Sequence, residues 1–265
     1  MRNPFLLGLL ALLVSTDRRE SSSRDAMSHG RLDSDTRYAT ESPNPFPSVG
    51  EIPLPEGFRR MEVSRNSFGA WLRTMRLKSD RTVYLYNGMM KTNQSAQFAV
   101  VDIPVGTRDL QQCADAVMRM RAEYLLASGR SGEIVFHDNA GKAYRWTTGG
   151  DRAAFERYMQ KVFAWCGTLS LEKEMKPVRD LSKLAPGDVY IKGGSPGHAV
   201  MVLDVAVDTQ GKKAFLLAQS YMPAQDIHVL KNPKGSLQQP WYTLDQGNEL
   251  STPEWTFQWR QLRTW

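Results

Sequence analysis

The chain has 265 residues, is 41% hydrophobic and 23% charged, and carries a formal net charge of +6 with two cysteines and four histidines. That length holds one sizeable core, and the scatter of the Lys and Arg residues argues for a basic surface without a nucleic-acid stripe. Two cysteines make neither a disulfide framework nor a zinc signature, and no pair of histidines is spaced for zinc, so no cofactor is expected.

Residues 1–16 open with Met1-Arg2 and continue through Leu6-Leu7-Gly8-Leu9-Leu10-Ala11-Leu12-Leu13-Val14. One positive charge before a short apolar run has the shape of a secretory signal and is too short to span a bilayer comfortably. The cysteine of a lipoprotein signal is missing. A misplaced start or an uncleaved anchor is the alternative, and export to the periplasm or cell surface is the expectation. No later stretch is long and apolar enough for a membrane helix, so no transmembrane span is expected in the mature domain. Residues 17–50 are rich in Ser, Arg, Asp and Pro and read as a flexible tether, leaving 51–265 as a single folded domain.

Within that domain, Phe58 to Val63 reads as a strand. Ser67 caps a short helix through Arg73. Thr82 to Tyr86 and Gln97 to Ile103 read as strands, the second stopped by Pro104. The strongest helix follows. Asp109 is expected to cap it with Gln112 at the capping-box position, apolar groups recur at Leu110, Cys113, Val117, Met120 and Tyr124, and Gly129 ends it. Ile134 to Trp146 suggests a hairpin around Asn139-Ala140-Gly141. A second helix starts at Asp151 and buries Phe155, Tyr158, Met159, Val162, Phe163 and Cys166. A polar connection then leads to Pro186-Gly187-Asp188.

Gly187 to Leu203 reads as a strand, a turn at Gly193-Gly194-Ser195-Pro196-Gly197, and a second strand whose first residue is His198. Asp208 to Gly211 turns into a strand from Ala214 to Tyr221. Counting outward from that turn sets His198 opposite the segment Gln219 to Tyr221. Ile227 to Leu230 and Trp255 to Leu262 complete the strands. The order predicts an α+β fold, an antiparallel sheet with helices packed on it and no internal repeat.

Cys113 near a helix start has free N–H groups and a partial positive charge beside it, which favour thiolate over thiol. His198 at a strand start can take the proton of such a thiol and return it to a leaving group, and the Cys113 N–H can hold a developing oxyanion. On periodicity alone Cys113 also fits a small core residue, as Cys166 does. His29, His137 and His228 read as structural or solvated. The Gly-rich turn lacks a Gly-Lys-Ser/Thr ending, the carboxylates are scattered, and the C-terminal tryptophans read as packing.

A helix-borne Cys113, a Gly187-Asp188-Val189 strand, a strand-borne His198 and a polar residue on the next strand resemble the papain-like superfamily, nearest its bacterial cell-wall endopeptidase and amidase branch. The resemblance implies a papain-like fold with the nucleophile-bearing helix ahead of the sheet, a Cys113–His198 dyad with Gln219 in the third position, and cell-wall peptide or another amide as substrate. Gln112 stands where such enzymes place Asp or Asn before the cysteine, and Gln225 and Asp226 lie near the third position. Across 52–265, stretches such as Pro55-Glu56-Gly57-Phe58, Asp109-Leu110-Gln111-Gln112-Cys113 and Gln219-Ser220-Tyr221-Met222-Pro223 resemble a bacterial family of exported or surface proteins without an assigned reaction. Two functions follow: a cysteine hydrolase of amide or ester bonds, or an exported binding domain using the same cleft without chemistry. The oligomeric state is not legible.

Overall fold

The computed structural model describes residues 42–147, 149–235, 239–244 and 247–265. The signal-like segment and most of the expected tether lie outside the described residues. The last part of that tether, however, packs on the domain. Asn44 donates to the carbonyls of Phe46 (2.8 Å) and Lys78 (3.0 Å), the Phe46 ring stacks on Phe98, and Val49 is fully buried. Two apolar anchors among prolines are enough to dock an extended segment, so ordered structure begins before the expected boundary at 51.

The elements run β1 (Arg59–Arg60), α1 (Phe68–Arg73), β2 (Gln97–Val100), α2 (Cys113–Ala127), β3 (Val135–His137), β4 (Ala143–Arg145), α3 (Arg152–Trp165), α4 (Thr168–Glu174), β5 (Lys176–Pro177), β6 (Val189–Lys192), β7 (His198–Val207), β8 (Lys213–Gln219), β9 (His228–Leu230), β10 (Tyr242–Thr243), β11 (Glu249–Ser251), β12 (Thr256–Gln258) and β13 (Leu262–Thr264). Ser67 caps α1 and Asp151 caps α3, each accepting the N–H three residues on, as the sequence predicts. Three expectations need correction. Thr82 to Tyr86 forms only isolated bridges, because Val83 N–H goes to Gln94 Oε1 and Tyr84 N–H to Asp226 Oδ2 instead of a ladder. The connection after α3 contains α4. Trp255 to Leu262 is not one strand: a 3-10 turn at Trp259–Gln261 separates β12 from β13.

The principal sheet is antiparallel, with strand order β2-β9-β8-β7-β6-β13-β5, β1 beside the end of β7 and β10 beside β8. β7 is its spine. One edge pairs with β8, and the other pairs with β6 over its first four residues and with β1 over its last two. Both faces of β7 are covered, which is why its sequence is almost continuously apolar. Ala199, Met201 and Leu203 lie on the face that packs against α1 and α2, whereas Val200, Val202 and Val205 join Tyr190, Phe215 and Phe257 on the other face. The switch of parity comes from an irregularity between Val202 and Asp204, where the extra residue turns the alternation over. It carries the fully buried Asp204 carboxylate to the helix side, where Arg60 from β1 (2.8 Å) and Arg73 from α1 (2.7 Å) clamp it. The start of β7 is thereby set between α2 on one face and the aromatic C-terminal segment on the other.

Candidate active site

Cys113 is the first residue of α2, three residues later than a cap at Asp109 predicts. Gln112 is the N-cap, and its backbone N–H is taken by the carboxylate of Asp115 at 3.0 Å. Asp109 instead accepts the N–H of Ala224 (2.7 Å) and the Gln112 side-chain amide (3.1 Å), tying the helix entry to the loop after β8. The Cys113 sulfur is met by its own N–H and those of Ala114 and Ala199, so it approaches β7 at the peptide that follows His198. These donors favour a thiolate, but burial and the neighbouring Asp115 outweigh them, and the thiol is pushed up to about 11. The helix start alone therefore does not activate this sulfur, contrary to the sequence expectation.

His198 is held by packing as well as by bonds. Tyr221, Trp255 and Phe257 surround its ring, with centroids 4.8, 5.3 and 5.8 Å away. Burial behind these rings pushes the imidazole down to about 4, against the opposite pull of Gln219 and Glu254. The preceding turn is shaped by Gly197. A Cβ there would lie 2.4 Å from the Gly194 carbonyl oxygen and 2.5 Å from Thr168 Oγ1. α4 holds the same turn from outside: Thr168 Oγ1 donates to Gly194 O, and Glu172 accepts the N–H of Gly193.

Gln219, at the end of β8, has its Oε1 at 2.8 Å from His198 Nε2, while its Nε2 donates to Glu254 Oε2 at 2.7 Å. The amide orientation follows from chemistry. A carboxylate accepts, so the NH2 end faces Glu254 and the oxygen end faces the histidine. His198 therefore carries its proton on Nε2 and leaves Nδ1 as the basic nitrogen. No direct hydrogen bond joins the Cys113 sulfur to the His198 ring among the described residues. Gln219 is thus the third-position candidate that meets His198. Asp226 pairs with Lys78 (2.9 Å) and accepts the Tyr84 N–H, and Gln225 is buried elsewhere with its amide nitrogen unpartnered.

A cleft of about 240 Å³ opens beside the sulfur, bordered by Gln112, Cys113, Thr168, Gly194 to Gly197 and the exposed Met222. Cys166 also borders it, but its thiol is pushed up to about 12, first by burial and then by Glu174, and both cysteines are free. His137 contacts Glu174 at the surface, His228 is fully buried with Nδ1 against the Asp226 carbonyl, and His29 lies outside the described residues. Sequence reasoning missed Glu254, its partner Lys91 and α4. A lone carboxylate in Thr252-Pro253-Glu254-Trp255 carries no spacing signal toward a residue 35 positions earlier. Among the described residues no cluster of His, Cys, Asp and Glu is arranged for a metal, and no helix is long and apolar enough to cross a membrane.

Residues 50–151 and 143–264 match the family model described as "Domain of unknown function (4846)". No curated protein matches the chain, and no solved structure does.

Proposed function

We propose that this chain, which belongs to the family described as "Domain of unknown function (4846)", is an exported cysteine hydrolase of papain-like fold that cleaves amide or ester bonds, with peptides of the cell wall as the substrate class its resemblance suggests. Cys113 attacks the carbonyl carbon, and His198 Nδ1 takes the thiol proton as the carbon–sulfur bond forms. The same proton passes to the leaving amine or alkoxide as the carbon–nitrogen or carbon–oxygen bond breaks, giving an acyl thioester. Water, deprotonated by His198, then attacks the thioester carbon; the carbon–sulfur bond breaks, the acid leaves, and the proton returns from His198 to the Cys113 sulfur. The N–H of Cys113 is the donor at hand for the oxyanion.

One observation carries this reading: Gln219 Oε1 at 2.8 Å from His198 Nε2, with the amide locked by Glu254, leaves the other ring nitrogen as a base on the strand that the Cys113 sulfur touches. With the thiol pushed up and the imidazole pushed down, the resting pair is neutral. Proton transfer then accompanies attack, and no thiolate need stand ready. A carbonyl electrophile such as a β-lactone should acylate Cys113 in preference to Cys166, and His198→Ala should abolish it. Wall-derived peptides should be hydrolysed by the parent and not by Cys113→Ala. If the β-lactone leaves Cys113 untouched and no amide or ester is turned over, catalysis is lost as a reading. The alternative, an exported domain that binds in the same cleft without chemistry, is favoured by the burial of both groups, and it then stands.

A further inference from the structure

Behind His198 lies a chain of hydrogen bonds that runs in one direction. Oε2 of Glu254 accepts from Gln219 Nε2 and from Lys91 Nζ, each at 2.7 Å, and Oε1 accepts from Asn93 Nδ2 at 3.2 Å. Lys91 and Glu254 are both largely buried, 8% and 14% exposed at the side chain, so the pair is shielded from water that would weaken it. A second acceptor lies close by. His228 gives its Nδ1 proton to the Asp226 carbonyl, and its free Nε2 lies 3.4 Å from the same Gln219 nitrogen. Glu254 also sits in a tight turn closed by Thr252, whose N–H donates to the Trp255 carbonyl at 2.7 Å. That turn brings the Trp255 ring against His198 while its neighbour Glu254 holds Gln219.

We propose that Glu254 is a positioning residue: by locking the Gln219 amide it keeps the proton of neutral His198 on Nε2 and the lone pair on Nδ1. The inference rests on the reading of His198 as the base, and its physical content is a tautomer that can be measured whether or not the protein turns anything over. Were the amide reversed, its NH2 would face His198 Nε2, the proton would move to Nδ1, and the nitrogen assigned as the base would have no lone pair to offer. Reversal would also set the amide oxygen against the Glu254 carboxylate. Lys91 completes the device. It balances the charge of Glu254, so the carboxylate can orient Gln219 without making His198 strongly basic.

The role of Lys91 makes the test sharp. Glu254→Ala leaves the Lys91 ammonium beside Gln219, since both are within 2.7 Å of the same oxygen in the parent. The ammonium should then draw the amide oxygen toward itself and reverse it. Nitrogen-15 spectra of the His198 ring at neutral pH should show the proton on Nε2 in the parent and on Nδ1 in Glu254→Ala. Turnover should fall by about 100-fold or more with circular dichroism unchanged, as expected for a base in the wrong tautomer. In Lys91→Met/Glu254→Ala the drive for reversal is gone and His228 alone holds the amide, so a mixture of tautomers and partial recovery are expected. This second variant also covers the case in which an unpaired buried lysine prevents the single variant from folding. His198 remaining wholly Nε2-protonated in Glu254→Ala, or in the double variant where the single does not fold, overturns the inference. If the tautomer moves as expected while no variant, the parent included, hydrolyses any substrate, the positioning stands and the hydrolase reading fails.

Discussion

Ser220 Oγ lies 2.9 Å from the carbonyl of Gln111 and 2.9 Å from that of Gln225, which joins the end of β8 to the residue two before Cys113. The hydroxyl is fully buried, so these carbonyls have no water to turn to. The bond links the two halves of the candidate site: Gln219, next to Ser220, bonds His198, while Gln111 leads into the helix that begins with Cys113.

Ser220→Ala removes that link. The change removes the one hydroxyl proton available to these two buried acceptors and should cost about 1–3 kcal/mol of stability. The fall should be seen in urea unfolding, and β-lactone labelling of Cys113 should slow as the helix entry loosens. A midpoint equal to that of the parent would show that the bond does not couple β8 to α2.

Gly197 gives a second test of placement. An alanine there would set a methyl 2.4 Å from Gly194 O, 2.5 Å from Thr168 Oγ1 and 2.8 Å from Lys192 O. Two of these atoms are backbone, so the turn must shift, and His198 is the next residue. A loss of about 1–3 kcal/mol is expected, with displaced ring signals for His198. Gly194→Ala is the control. It strains a backbone at φ +113 but meets nothing within 4 Å, so it should perturb the His198 ring less.

Much of this site can be read along the chain, because its parts lie where local rules act. Gly193 to Gly197 announces a turn, the Val- and Leu-rich apolar run after it announces a strand beginning at His198, and counting outward from the Asp208 to Gly211 turn brings Gln219 into range. Cys113 reads as a helix residue from its spacing. The local rules fail where a competing partner wins. Asp109 has the chemistry of a cap, yet it is engaged by Ala224, 115 residues away, so Gln112 and Asp115 close the helix instead. α4 is seven residues long, and the buried Leu171 and Ser170 are too few to show a helical stripe. Glu254 and Lys91 are 163 residues apart, and no periodicity links them. The thiolate expected from a helix start is opposed first by burial, a tertiary effect, and then by Asp115, two residues along the same helix.

Acid should destabilise the protein through its buried histidines. His228 is completely buried and pushed down to about 4, first by burial and then by Lys91. The unfolded chain takes up its proton near pH 6.5 while the folded chain does not until about pH 4. Stability carried by the neutral ring is therefore present above pH 6.5, falls as the pH drops, and is fully lost below about pH 4. The loss is up to about 3 kcal/mol for this residue. Asp115, held well above the usual carboxylate range by burial, acts in the opposite direction, so the difference between proteins is the proper readout. The gap in unfolding free energy between the parent and His228→Asn should narrow by that amount from pH 7 to pH 4. A gap independent of pH would mean that the fold does not shift the protonation of His228 from that in the unfolded chain.

The protonation of the resting pair should be visible in the rate. A preformed thiolate–imidazolium pair loses activity when the imidazolium gives up its proton, which produces a bell with a falling limb near the imidazolium pKa. Here the thiol is pushed up to about 11 and the imidazole down to about 4. The reactive form is then the neutral thiol beside the neutral base, and it persists between those two values. With an ester substrate, kcat/KM should rise as the pH passes about 4, when His198 sheds its proton, and remain flat through at least pH 9, because kcat/KM reports groups of the free enzyme. Iodoacetamide, which needs a thiolate, should alkylate Cys113 slowly at pH 7 and faster as the pH approaches 11. A carbonyl electrophile that uses His198 should instead react at a constant rate across the plateau. A falling limb between pH 7 and 9, together with fast alkylation at pH 7, would mean that the sulfur is ionised at rest and that the proton already resides on His198.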